Sequence, residues 1–83
     1  MMKVLKMVKP IYPHWVRVSG IVAVEVQIDK AGKPSSIKIL KGNPLLIGPV
    51  IDAVKQWRWK PLRLNGEAVE AATIITVNFE AAR

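Results

Sequence analysis

The sequence predicts an α+β domain with its elements in the order helix, strand, strand, helix, strand. Three observations carry this expectation. Apolar side chains recur every second residue in the strand stretches, they recur at i, i+4 and i+7 in one other, and turn-forming residues separate these stretches. The 83 residues leave room for a single domain, 1–83, with residues 1–8 as a flexible or extended lead-in. Half of the residues are apolar, enough to bury a core and to set the chain apart from disordered sequences.

Residues 9–13, Lys9-Pro10-Ile11-Tyr12-Pro13, are extended, because a residue that precedes proline is pushed out of the helical region. Residues 14–18 form a short first helix, stopped by Ser19 and Gly20 and dependent on tertiary packing. Residues 21–29 then alternate: Val22, Val24, Val26 and Ile28 take one face and Glu25 and Gln27 the other, which describes a half-buried strand. Asp29 caps a tight loop in which Gly32 supplies a positive φ, and Pro34 opens a second strand. Ile37 and Ile39 are its inward residues, while Lys38 and Lys41 blunt its edge.

Asn43 and Pro44 are a natural helix entry. Proline in a helix interior costs about 3 kcal/mol, however, so Pro49 moves the expected start of the regular helix to about residue 49, with Leu45 and Leu46 in an irregular lead-in turn. Val50, Val54 and Trp57 stack on its apolar face, joined by Ile51 and Ala53, and Pro61 ends it near Trp59. Asn65-Gly66 is a turn signal that joins two short extended pieces. The last strand, residues 71–79, places Ile75, Val77 and Phe79 on one face and Ile74, Thr76 and Asn78 on the other. It contains neither a charge nor a proline. On its residues alone it is either an open docking edge or the buried centre of the sheet.

Several function classes fall away. There is no cysteine, and His14 is the lone histidine, without the spacing of a metal site around it. Ser19, Ser35 and Ser36 sit in turns with no second histidine to serve them, and no glycine-rich phosphate loop is present. No enzyme activity, metal or cofactor is therefore expected. Lys3, Lys6 and Lys9 interrupt any apolar run in the first ten residues, which argues against a signal peptide or membrane span there. The net charge of +7 favours anionic partners. A basic nucleic-acid-binding module, with Trp15 or Trp59 stacking on bases beside Arg58 and Lys60, is the alternative function; Trp59 serves equally well to cover the end of the sheet.

The motif string Tyr12-Pro13, Gly20 and the valine-rich strand into Asp29-Lys30-Ala31-Gly32-Lys33, Gly42-Asn43-Pro44-Leu45-Leu46, and Ala53-Val54-Lys55-Gln56-Trp57-Arg58-Trp59-Lys60-Pro61 resembles the TonB C-terminal domain family. Asn65-Gly66 and the closing Thr76-Val77-Asn78-Phe79 extend the resemblance over residues 9–80. It implies a three-stranded antiparallel sheet in the order second, first, third strand, with two helices packed on one face. It also implies a non-catalytic periplasmic domain of an energy transducer, whose parent protein is anchored in the inner membrane. The implied partner is the TonB box, a short extended segment of an outer-membrane transporter, laid beside the third strand. Carried over residue by residue, the docking strand is Thr73, Ile74, Ile75, Thr76, Val77, Asn78 and Phe79, with Lys9, Pro10 and Tyr12 as neighbours. Pairing of this strand with a second copy, giving a homodimer, is a further expectation. Two positions depart from the pattern: Lys9 stands where the best-known members carry Gln, and Ile47-Gly48-Pro49 replaces a more acidic or alanine-rich helix start.

Overall fold

The computed structural model describes residues 3–13 and 16–80. In chain order its elements are β1 (Val4–Lys6), β2 (Gly20–Ile28), β3 (Pro34–Lys41), α1 (Pro44–Val54), β4 (Arg58–Trp59), β5 (Leu62–Leu64), β6 (Glu67–Val69) and β7 (Ala71–Phe79). The main sheet has three strands in the order β3-β2-β7, both pairings antiparallel. The four apolar residues on the inner side of β2, Val22, Val24, Val26 and Ile28, are all within 1% of complete burial. Each contributes roughly 1.5–3 kcal/mol relative to exposure. The alternation in the sequence therefore becomes the floor of the core.

The β2–β3 hairpin is closed by Asp29, whose carboxylate accepts hydrogen bonds from the backbone N–H groups of Ala31 and Lys33, each at 2.9 Å. Gly32, at φ +85°, brings this loop against β4: the Trp59 N–H donates to its carbonyl at 2.9 Å. A Cβ at this position would lie 1.9 Å from the Trp59 carbonyl oxygen, so the loop can approach only because no side chain is there. At the far hairpin, β5–β6, Asn65 and Gly66 take φ of 52° and 83°, the two positive values that a type I′ turn requires.

The helix differs from expectation at both ends. It begins at Pro44, not near Pro49: the Asn43 side chain accepts from the Leu45 N–H at 2.9 Å and Pro44 occupies the first turn. Pro49 lies inside the helix, and residue 48 makes this tolerable. The clash that keeps a residue before proline out of the helical region involves that residue's Cβ, and Gly48 has none. Proline also leaves the Leu45 carbonyl without its usual donor, at a residue that is half exposed. Leu46, Val50, Ala53 and Val54 are buried along one face, and that packing outweighs the remaining cost.

The helix stops at Val54, so Trp57 is not on its apolar face. Hydrogen bonds from Gln56 to Ala53 and from Trp57 to Val54 tighten the chain into a turn, after which it runs extended through β4. Trp57 nevertheless enters the core. It is 9% exposed, its indole N–H donates to the Val8 carbonyl at 2.8 Å, and its ring lies 5.8 Å from that of Trp59, which is buried too.

The expected two-helix layer is also corrected: α1 is the one helix among the described residues. His14 and Trp15 lie outside them. Residues 16–18 are not helical, and the Val16 N–H donates to the Pro13 carbonyl at 3.0 Å. Val16 itself is buried. So short a span gains too few hydrogen bonds to repay helix nucleation. Much of the place beside α1 is taken by residues 3–13, whose β1 pairs antiparallel with β4 and whose Val4, Val8 and Tyr12 pack against the core.

Three substitutions test this packing in a denaturant titration. Trp57→Ala is expected to cost about 3–5 kcal/mol, against about 1 kcal/mol for its neighbour Arg58→Ala, whose guanidinium donates only to backbone carbonyls. Gly32→Ala is expected to lose more than about 1 kcal/mol because both its φ and the Trp59 carbonyl oppose a side chain. Equal losses at Trp57 and Arg58 would show that the indole does not fill the core as described.

Candidate functional site

The last strand lies at an edge of the sheet and not at its centre. Over all nine residues, from Gly20 opposite Phe79 to Ile28 opposite Ala71, β7 pairs with β2 without a break in register. Among the described residues no strand or loop backbone pairs with its other side. The opposite edge, β3, is interrupted by two register shifts against β2 and carries Pro34, Lys38 and Lys41. These features discourage pairing, whereas β7 has none of them. Its backbone is a regular run of amides and carbonyls, with every second one turned away from β2.

The two faces of β7 differ. Thr73, Ile75, Val77 and Phe79 share the inner face with Val22, Val24 and Val26 of β2 and are half-buried. Ile74, Thr76 and Asn78 are exposed on the outer face, opposite Glu25, Ala23 and Ile21. Tyr12 is brought to the end of this strand, its ring centroid 4.0 Å from that of Phe79 at a tilt of 43°. Lys9 is not. It lines a groove of about 390 Å³ against α1 with Ile11, Pro13, Gly48 and Asp52 among others, while Pro10 is half-buried between the two positions. Among the expected site residues, therefore, the segment 73–79 and Tyr12 are contiguous and Lys9 faces the helix.

A second groove, of about 600 Å³, runs beside residues 71–75 and is walled by Val4, Trp57, Trp59 and Leu62. Of these four, Trp59 alone figures among the sequence expectations for a site, and there as a base-stacking residue and not as part of a groove. Their convergence depends on β1 and β4 pairing across a separation of more than fifty residues, which no local pattern announces.

The burial of Trp57 and Trp59, 9% and 3% exposed, bears on the alternative function, because it leaves little of either ring open to stack on a base. No helix among the described residues is long and apolar enough to cross a membrane.

The elements define a small α+β domain whose longest uncharged strand lies at an open edge of its sheet. Residues 9–81 match the profile of the family described as the Gram-negative bacterial TonB protein C-terminal, and the chain belongs to that family. Such domains are periplasmic parts of TonB-type energy transducers in Gram-negative bacteria. The fold is similar to the solution structure of the Pseudomonas aeruginosa TonB C-terminal domain, with a TM-score of 0.80 and 25% sequence identity, over 99% of this chain and 88% of that one. Comparison with curated proteins gives no significant match.

The hydroxyl of Tyr12 is buried without a hydrogen-bond partner, and burial raises its pKa above the usual 10.0. The neutral phenol is thus favoured in the folded state. The resulting stability is present below pH 10 and declines as the pH rises through the unfolded and then the folded pKa. Tyr12→Phe removes both the unpartnered group and this titration while keeping the ring on Phe79. It is expected to match or exceed the parent by up to about 1 kcal/mol at neutral pH and to soften the alkaline loss of stability. Chemical denaturation at pH 7 and pH 11 measures both effects; a clear loss at pH 7 would mean that the hydroxyl has a partner.

Proposed function

We propose that this domain binds the TonB box of an outer-membrane transporter as an additional strand on β7, and so couples an inner-membrane-anchored energy transducer to energy-dependent uptake. The observation that carries this reading is the open edge of β7, nine residues without charge, proline or register break. In β-augmentation the backbone hydrogen bonds provide affinity and alternate side chains provide specificity. Family membership supports the transport setting. Tyr12, against Phe79, stands next to the docked segment, whereas Lys9 lines the separate groove against α1.

The same edge accepts a second copy of the domain when no transporter segment is present. A two-fold dimer would pair β7 with β7, and it would compete with peptide.

Sedimentation with and without a transporter-box peptide tests both ideas. The expected result is a concentration-dependent dimer that peptide dissociates, with peptide binding that depends weakly on salt. Charge-driven association, such as binding to nucleic acid, falls steeply with salt instead. Proline substitutions separate the two sides of the strand. Thr76 and Asn78 have the same parity, so their N–H groups point to one side; those of Ile75 and Val77 point to the other. Proline at the parity facing away from β2 is expected to abolish peptide binding and leave the fold intact, and proline at the other parity to weaken the β2 ladder itself. A monomer at every concentration that also ignores every extended peptide would remove the docking-edge reading.

A further inference from the structure

Residues 3–9 meet the core with one side and leave the other to solvent. Val4 and Val8 pack inward, whereas Leu5 and Met7 are 61% and 63% exposed, and Lys3, Lys6 and Lys9 around them are exposed as well. A strict alternation would turn Lys6 to the same side as Val4. The register shift of β1 between Val4 and Lys6 breaks that alternation, and Leu5 and Lys6 both reach solvent.

The partner strand adds to the charge. Lys6 stands opposite Arg58 across the β1–β4 pair, and the Lys60 N–H donates to the Lys3 carbonyl at 2.8 Å, with the Lys60 residue exposed. Both strands come from acid-free stretches, since residues 1–24 and 53–66 contain no Asp or Glu. Among the described residues, Lys3, Lys6 and Lys60 form no ion pair with a carboxylate. Like charges directly opposite each other are unfavourable in a ribbon, and an anionic partner would relieve that repulsion.

The mixture of side chains narrows the class of partner. Nucleic acid would neutralise the lysines, but its phosphates give Leu5 and Met7 nothing to enter. An anionic bilayer offers both layers, phosphates at its surface and acyl chains just beneath. Long lysine stems keep their charge among the headgroups while neighbouring apolar side chains go deeper. We propose that the outer side of the β1–β4 ribbon is a membrane-surface contact, in which Leu5 and Met7 enter the headgroup boundary of an anionic phospholipid bilayer and Lys3, Lys6 and Lys60 hold its phosphates. The contact uses none of the β7 edge, so it stands or falls independently of peptide docking.

Vesicle flotation with the whole chain tests this. Vesicles of phosphatidylglycerol and phosphatidylcholine in equal parts are expected to carry the protein, and vesicles of phosphatidylcholine alone to leave it behind. Lys6→Gln and Lys60→Gln should each weaken binding to the anionic vesicles about fivefold, the effect of one cation near such a surface. Leu5→Ser combined with Met7→Ser should weaken it at least about tenfold, with the melting curve little changed because both side chains are already exposed. Should the double variant fail to fold, Met7→Ser alone takes its place, with at least about a threefold loss expected. Equal binding to both kinds of vesicle, or binding to neither, would overturn the proposal. So would loss of binding on lysine replacement with full retention in the folded serine variant, because the ribbon would then be a purely electrostatic surface suited to a soluble polyanion such as nucleic acid.

Discussion

The burial of one face of β2 is the constraint on which the rest of the structure depends. Its inner residues Val22, Val24, Val26 and Ile28 are shielded from above by α1 and by the tryptophans beyond it, and the strand is paired on both sides. Because a shift of one residue would turn all four side chains to solvent, the register of β7 against β2 is tightly held. A strand anchored so firmly on one side presents a straight, ordered ladder on the other. The regularity of the β7 edge is thus inherited from the core.

An ordered and uncharged edge is a hazard in any soluble domain. Here the surrounding charge moderates it. Thirteen Lys and Arg against six Asp and Glu repel like molecules at long range, while the short-range backbone ladder stays available to an uncharged or acidic segment. Lys38 and Lys41 close the β3 edge to the same use. The sheet is therefore asymmetric, with one edge discouraged from pairing and the other left available.

The segment before β2 shows how a small domain can complete its core without regular structure. Residues 3–13 use one short strand pair, one indole hydrogen bond and three apolar contacts, made by Val4, Val8 and Tyr12, where the family resemblance led to a helical layer. The arrangement also builds the groove wall. Val4 lies there because β1 is held by Trp59, and Trp59 is held by the carbonyl of Gly32. A single residue without a side chain, in a loop on the far side of the hairpin, thus helps to shape the candidate binding site.

The sequence alone determined what depends on neighbours in the chain. The alternation of β2 and β7, the Asp29 loop, the Asn65-Gly66 turn and the Asn43 cap all follow from local sterics and periodicity, and each is present. The motif string added the strand order, since the resemblance it carries implied β7 at an edge while the residues alone left edge and centre open. Tertiary structure decided what local rules leave balanced or invisible. Pro49 argues against a helix only until Gly48 relieves the clash and buried Leu46 and Val50 favour the helical turn. Trp57 has helical spacing from Val50 and Val54, yet the chain turns before reaching it, and the indole enters the core from an extended segment. The groove beside Ala71–Ile75 had no signal in the sequence, because its wall joins Val4 to Trp59 and Leu62 through contacts that exist only once the ends of the chain have been brought together.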